Sequence, residues 1–461
     1  MHSNETNRRP LFMSRRTFLA EAGVASAVMG FQMARAGEKP KQAGPNERLN
    51  IATVGAGGQA ASNIRELDQT GQVNFVAFSD VDDERAADIY KQFPNVPTFK
   101  DFRQMLDRVK DVDAVLVATP DHIHAPATLA ALQLGKHVYC EKPLTHTVHE
   151  ARVIAQAAAE HGCATQMGNQ GTAFEGPRRL IEWIQGGVIG TVREVHVWSD
   201  RPTHFGKILW PQGVERPTDT PPAPETLDWN LWLGPAPDRP YHPAYCPFKW
   251  RGWWDFGSGG LGDMGIHNIA PVFDALQLDA PTSVTASSSL FNADSLPLAT
   301  TVHYQFPERN GRPPVQLHWY DGGMLPPRPD ELEEGEELDP EDGIILVGDQ
   351  GKILVEGWGG NHPHLIPQSR METVQLPPQT IPPSKGHHLE WLDACRGNGT
   401  TRSSFVFAGP LTESVLLGMV AVRTRRTLEW DSRNLRVTNV PEANELVTKT
   451  YRKGWELGKL G

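Results

Sequence analysis

From Leu49 onward the chain alternates short apolar runs with stretches of helical period. LNIATVGAG, VNFVAFSD, VDAVLVATP and HVYCEKP are nearly continuous in apolar residues, and they alternate with a helix ending near Asp68, then DERAADIYKQF, HAPATLAALQLG and TVHEARVIAQAAAEHG. Apolar runs of that length, without polar alternation, mark strands whose sheet is covered by helices on both faces. The repeated strand–helix–strand order predicts a doubly wound parallel sheet over residues 47–168. Past Gly168 the period changes to two, in longer runs at VREVHVWSD, SVTASSSL, ATTVHYQF, VQLHWYDG and IILVGDQGKILV. These predict a largely antiparallel sheet over 169–461, with helices on one face and the other facing solvent or a partner. The fold class is α/β followed by α+β, and 461 residues are enough for two such cores.

Two segments break the second pattern. Residues 200–262 are rich in Pro, Gly and Trp, and seven of the 13 tryptophans fall between Trp198 and Trp254. A segment of that length is no idle connector. Its aromatics have no clean period, so they are either core or the lining of a substrate site, with Trp254 the candidate for the second role. Within the acidic loop 325–343, the stretch 330–342 holds nine carboxylates and no base. It has no recognisable ligand spacing and is read as a solvated loop, with no metal site.

The N-terminus reads differently from the rest. Ser14-Arg15-Arg16-Thr17-Phe18-Leu19 precedes a small, apolar run that ends at Ala34-Arg35-Ala36, the pattern of a twin-arginine export signal over residues 1–36. The run from Phe18 to Met33 includes Glu21 and falls short of the roughly 20 apolar residues of a membrane span, so a cleaved leader and a periplasmic protein are expected. The formal net charge is −11 and becomes more negative without the leader, which argues against nucleic acid as a partner. Four cysteines, none in a CxxC arrangement, form neither a disulfide framework nor a zinc module.

Chemistry concentrates at the ends of the predicted parallel strands. Val54–Ala60 (VGAGGQA) follows the first strand and opens a helix, giving G-x-G-x-x-A with Gly55 for the tight turn, Gly57 for close approach of a pyrophosphate and Ala60 for helix–strand packing. Asp80 closes the second strand. It can accept hydrogen bonds from the adenosine ribose and repel a 2′-phosphate, favouring NAD over NADP, or it can cap the following turn with Asp82 and Asp83. Thr119-Pro120-Asp121-His122-Ile123-His124 and Glu141-Lys142-Pro143 end two further strands on the same edge, where a doubly wound sheet places its ligand. Thr119, Pro120, His122, Glu141 and Lys142 are therefore candidate cofactor contacts. Lys142 is also a candidate acid–base group, because a desolvated lysine beside a cationic ring has its pKa lowered. Asp263 and His267, in GGLGDMGIH, share one face of a predicted helix; they either act on one substrate hydroxyl or are an N-cap aspartate and a satisfied helix histidine. Gln170, after the last parallel strand, either contacts substrate or belongs to an interdomain turn.

The glycine loop, Asp80, TPDHIH, EKP and GDMGIH occur in this order, and together they resemble the Gfo/Idh/MocA family of glucose-fructose oxidoreductases and inositol dehydrogenases. The resemblance runs from about residue 47 to the end of the chain, with the C-terminal stretch from Asp431 similar to the exported bacterial branch. It implies that Lys142, Asp263 and His267 are the catalytic set, that a carbohydrate or cyclitol is the substrate, and that the open face of the second sheet mediates homo-oligomerisation. Ala60, where the family often has glycine, and the two long segments are departures; the segments leave the substrate open. An NAD-dependent oxidoreductase is the first expectation. Redox-neutral glycoside cleavage through transient oxidation, and a non-catalytic nucleotide-bound sensor, are the alternatives. Outside the cytoplasm free NAD is scarce, so an exported enzyme has to carry its cofactor bound.

Overall fold

The strands β1 (Leu49–Val54), β2 (Val73–Ser79), β3 (Thr98–Phe99), β4 (Ala114–Val117), β5 (His137–Glu141) and β6 (Thr165–Gly168) pair in parallel in the order β3-β2-β1-β4-β5-β6. A computed structural model describes residues 47–457 of the chain; the predicted leader lies outside the described residues. Strand order reverses between β1 and β4, the switch point at which open α/β sheets bind ligands. Every residue of β4 is buried, as the unbroken apolar run requires of a central strand. The helices α1 (Gln59–Gln69), α2 (Asp83–Gln92), α3 (Phe102–Arg108), α4 (Asp121–Gln133), α5 (Val148–His161) and α6 (Glu175–Gln185) connect and follow these strands. Thr147 and Glu150 form a reciprocal capping box at the start of α5.

The second sheet has nine strands: β7 (Val192–Ser199), β10 (Ser283–Ser288), β11 (Thr300–Phe306), β12 (Val315–Tyr320), β13 (Asp342–Gly348), β14 (Gly351–Glu356), β15 (His362–Ile366), β16 (Leu428–Asp431) and β17 (Arg436–Val437). Its order is β15-β14-β13-β7-β12-β11-β10-β16-β17, while β8 (Thr203–His204) and β9 (Lys207–Ile208) make a separate hairpin. All neighbours are antiparallel except β7 and β12. The strict alternation of β11 buries Val302, Tyr304 and Phe306 on one face and leaves Thr301, His303 and Gln305 half-buried on the other. The inner face packs against α7 (Ile266–Ala275) and α9 (Phe405–Thr424). Among the described residues α9 alone is long and apolar enough to cross a bilayer, but its apolar residues are mostly buried and serve the core.

Three details depart from the sequence reading. IILVGDQGKILV is a hairpin, β13 and β14 joined at Asp349–Gln350, rather than one long strand. The acidic loop is anchored: Leu332 and Leu338 bury beside Trp198, Ile345, Leu354 and Ile366, and the Trp198 indole donates to the Asp339 carbonyl at 2.8 Å. The chain also returns to the first sheet after the second is built. Trp391 and Leu392 of α8 (His387–Cys395) enter the apolar cluster of Ile51, Ile64, Phe78 and Tyr139, so one face of the parallel sheet is completed by residues far past 168.

Candidate active site

At the end of β1 the chain turns at Gly55 with φ of +100°, and a Cβ there would lie 2.4 Å from the Ala118 carbonyl oxygen. A Cβ on Gly57 would lie 2.4 Å from Cγ of Arg85. Both positions therefore need glycine for the loop to take this course. Gly58 caps α1 without a side-chain acceptor, the arrangement that leaves N–H groups of a first helical turn for an anion. Asp80 stands at the end of β2 and accepts hydrogen bonds from the Ala56 and Gly57 N–H groups, at 2.8 and 3.1 Å, and from the Asp82 N–H at 3.0 Å. Burial raises the Asp80 carboxyl pKa, and these three N–H groups oppose the rise. The turn-capping role is thus present, and the same carboxylate faces the cleft.

That cleft has a volume of about 270 Å³ and lies at the switch point. Gly55, Gly57, Asp80, Thr119 and Pro120 form one wall, and Trp232, Phe248, Trp250, Arg251 and Trp455 form the other. An uncapped helix start, a glycine loop and a fixed carboxylate at the end of β2 fit the phosphates and ribose of a dinucleotide. Ala60 does not line the cleft; it is fully buried on the inner side of α1, in the packing role that the motif assigns to it.

Lys142 and Asp263 form an ion pair, with the two side chains 17% and 14% exposed. Asp263 sits in a π-helical turn, Leu261–Gly265, that runs directly into α7, where His267 follows. Such turns are often found at functional sites. The simple helical spacing expected for Asp263 and His267 is altered, and Asp263 bonds to Lys142 instead of to the imidazole. Burial works against the Asp263 charge, yet the Lys142 ammonium, with Arg251 and Arg201 beyond it, holds the carboxyl below the usual carboxylate range. Burial, reinforced by Lys142, pushes His267 down to about 3, so its imidazole is neutral. Its Nδ1 is buried without a hydrogen-bond partner, and its ring stands edge-on to Trp358 with centroids 5.2 Å apart. A charged ammonium–carboxylate pair thus lies close to a neutral imidazole, which suits moving one proton at a substrate hydroxyl.

Several candidates have other places. The buried Glu141 carboxylate accepts from Asn63 at 2.8 Å, Gln170 at 3.1 Å and the Lys142 N–H at 3.3 Å. A Cβ on Gly168 would lie 2.6 Å from it. Glu141 and Gln170, which also donates to the Tyr139 hydroxyl, therefore fix the strand end that carries Lys142. Trp254 belongs to the main core, its indole donating to the Asn292 carbonyl and its ring packed on Phe291. His122 is fully buried between Trp232 and Phe256, with Nε2 2.9 Å from the Trp232 carbonyl and Nδ1 3.3 Å from that of Phe256. It ties α4 to the tryptophan-rich insert instead of lining the cleft.

Burial pushes His122 down to about 3, against about 6.5 in an unfolded chain. Unfolding therefore takes up a proton at His122 between about pH 6.5 and 3: this stability is present above pH 6.5 and lost as the pH falls toward 3. Replacing His122 by Phe is expected to flatten the fall of stability over that range by up to about 1.4 kcal/mol per pH unit. Urea unfolding midpoints at several pH values check this, and an unchanged slope contradicts it.

Sequence reasoning left out Asn63 and His124. Asn63 is a fully buried polar residue on the apolar side of α1, a pattern visible in the helix period. His124 places Nδ1 2.7 Å from the Pro143 carbonyl and Nε2 2.8 Å from that of Thr119, bridging the ends of β4 and β5. Arg251 and Trp455 reach the cleft from far along the chain, and no local signal marks them.

A family model described as an oxidoreductase family, NAD-binding Rossmann fold, matches residues 49–169, and its companion, the oxidoreductase family C-terminal alpha/beta domain, matches residues 178–309. An inositol 2-dehydrogenase from Serratia proteamaculans is 32% identical over 157 residues, 34% of this chain and 47% of that protein. The chain thus matches less than half the length of this curated relative. Among solved structures, the WlbA dehydrogenase from Bordetella pertussis, in complex with NADH and UDP-GlcNAcA, is similar in fold, with a TM-score of 0.58, 16% identity and coverage of 83% of this chain and 99% of that one. The aldose-aldose oxidoreductase from Caulobacter crescentus, complexed with glycerol, gives a TM-score of 0.53 at 18% identity, covering 83% of this chain and all of that one.

Proposed function

Because the chain belongs to the Gfo/Idh/MocA oxidoreductase family, whose two domain models together match more than half of it, we propose that it is an NAD-dependent dehydrogenase acting on a carbinol of a sugar or cyclitol. The observation that carries this reading is the Lys142–Asp263 pair beside the neutral His267, at the end of β5 on the edge where the dinucleotide cleft opens. The names of the relatives, an inositol dehydrogenase, an aldose oxidoreductase and a dehydrogenase with a bound UDP-sugar, support a polyhydroxylated substrate.

The nicotinamide ring, when bound, supplies the acceptor for hydride from the carbinol carbon. The chain supplies the rest. Gly55, Gly57 and the start of α1 receive the phosphates, and Asp80 receives the adenosine ribose. Glu141, held by Asn63 and Gln170, fixes the strand end; His124 fixes Pro143; Asp263 keeps the Lys142 ammonium in place. The carbinol proton moves to this set of Lys142, Asp263 and His267. Asp80 disfavours a 2′-phosphate, which selects NAD over NADP. The export signal read at residues 1–36 and self-association through the open face of the nine-stranded sheet complete the proposal.

A panel of aldoses, reduced sugars and cyclitols, each offered with NAD and with NADP, tests it through the absorbance of the reduced nicotinamide. Reduction is expected with at least one cyclic polyol, and faster with NAD. A protein that binds NAD but reduces it with none of them contradicts the proposal.

A further inference from the structure

The wall of the cleft opposite the glycine loop comes from the insert, which has its own apolar core of Trp232, Tyr245, Trp250, Trp253, Phe256 and their neighbours. Arg251 projects from that core into the cleft. Its guanidinium lies over the rings of Trp250 at 4.2 Å and Phe248 at 4.6 Å, and its Nη1 donates to the Phe248 carbonyl at 3.2 Å. Among the described residues it has no carboxylate within ion-pair distance. The backbone on either side is close-packed: a Cβ on Gly252 would lie 1.9 Å from the Pro211 carbonyl oxygen, and one on Gly257 would lie 2.6 Å from Cα of Arg251. The cation is therefore held over the Trp250 and Phe248 rings on a close-packed backbone.

Across the cleft the glycine loop is a weaker anion receptor than its motif suggests, because the Ala56 and Gly57 N–H groups already serve Asp80. A pyrophosphate carries two negative charges, and a guanidinium matches phosphate oxygens in a two-pronged geometry. We propose that Arg251 binds the pyrophosphate of the dinucleotide from the insert side, so that the tryptophan-rich insert is part of the cofactor site and closes it. This rests on the cofactor reading above. It gives the long insert a role in holding the cofactor, separate from any role in choosing the substrate.

The test uses the full chain freed of nucleotide and titrated calorimetrically with ADP-ribose, NAD and adenosine. R251Q is expected to bind ADP-ribose and NAD about 10–100-fold more weakly, the effect of losing charge-assisted hydrogen bonds, while R251K recovers part of the loss. Adenosine, which has no phosphate, should bind wild type and R251Q alike, which also shows that the cleft has folded. K249Q, a neighbouring exposed charge on the same insert, should behave as wild type. Equal ADP-ribose affinity in R251Q and wild type, or an equal loss with adenosine, overturns the inference alone. A wild type that binds neither ADP-ribose nor NAD overturns the cofactor reading and this inference with it.

Discussion

Replacing Lys142 by Met is expected to lower turnover by roughly 10²–10⁴, the usual effect of removing a positioned acid or base, and to leave NAD affinity largely intact. The ammonium is the ion-pair partner of Asp263 and one of the charges that keep His267 neutral. Without it, the Asp263 carboxylate stays buried and unpaired, and its pKa rises. His267 loses a neighbouring positive charge and titrates higher than about 3. The proton then has no matched path. The proposed phosphate and ribose contacts are the glycine loop, Asp80 and Arg251, which line the cleft apart from Lys142, which is why binding is expected to survive. His267→Ala is expected to fail in the same way. The double variant should be little worse than either, because residues that act as a unit are not additive. Single-turnover reduction and equilibrium NAD binding separate the effects; normal turnover in both single variants shows that these residues are structural.

Gly55→Ala is expected to abolish detectable dinucleotide binding in a chain that still folds, at a cost of about 1–3 kcal/mol in stability. The residue has φ of +100°, which side chains rarely adopt, and the new Cβ would lie 2.4 Å from the Ala118 carbonyl. Backbone cannot yield as a flexible side chain can, so the loop must move away from the end of β4. That movement displaces the Ala56 and Gly57 N–H groups together with Asp80, which they hold. Circular dichroism and thermal unfolding report the fold, and nucleotide titration reports the site. Wild-type affinity in this variant contradicts the account of the loop.

The parallel sheet was legible because its signal is local. Each strand is a short apolar run followed by a helix, and the glycine loop, Asp80, Thr119 and Lys142 end such runs, so placing the runs placed the residues. That Lys142, Asp263 and His267 act together followed from the family resemblance of two motifs, but the ion pair of Lys142 with Asp263 did not. A π-helical turn at 261–265 changes what faces what, and its close packing requires glycine: a Cβ on Gly262 would lie 2.0 Å from Ser258 Oγ. A histidine in a turn at a strand end, His122, and a tryptophan in an aromatic run without period, Trp254, both point in sequence to contact with a ligand. Burial decided otherwise, since the His122 ring is enclosed between Trp232 and Phe256 with its Nε2 2.9 Å from the Trp232 carbonyl, and Trp254 packs into the core. The return of Trp391 and Leu392 to the first sheet, and of Arg251 to its cleft, depends on contacts across hundreds of positions, which no local period encodes.

Transfer of one hydrogen from carbon to nicotinamide is the central claim. The measurement that tests it most directly is isotopic: the sugar or cyclitol found in the panel is prepared with deuterium on the reacting carbon, incubated with the protein and NAD, and the dinucleotide is weighed by mass spectrometry. The account predicts reduced dinucleotide carrying that deuterium with the wild type, formed roughly 10²–10⁴-fold more slowly with Lys142→Met. Substrate consumed by the wild type while the dinucleotide gains no deuterium would contradict it.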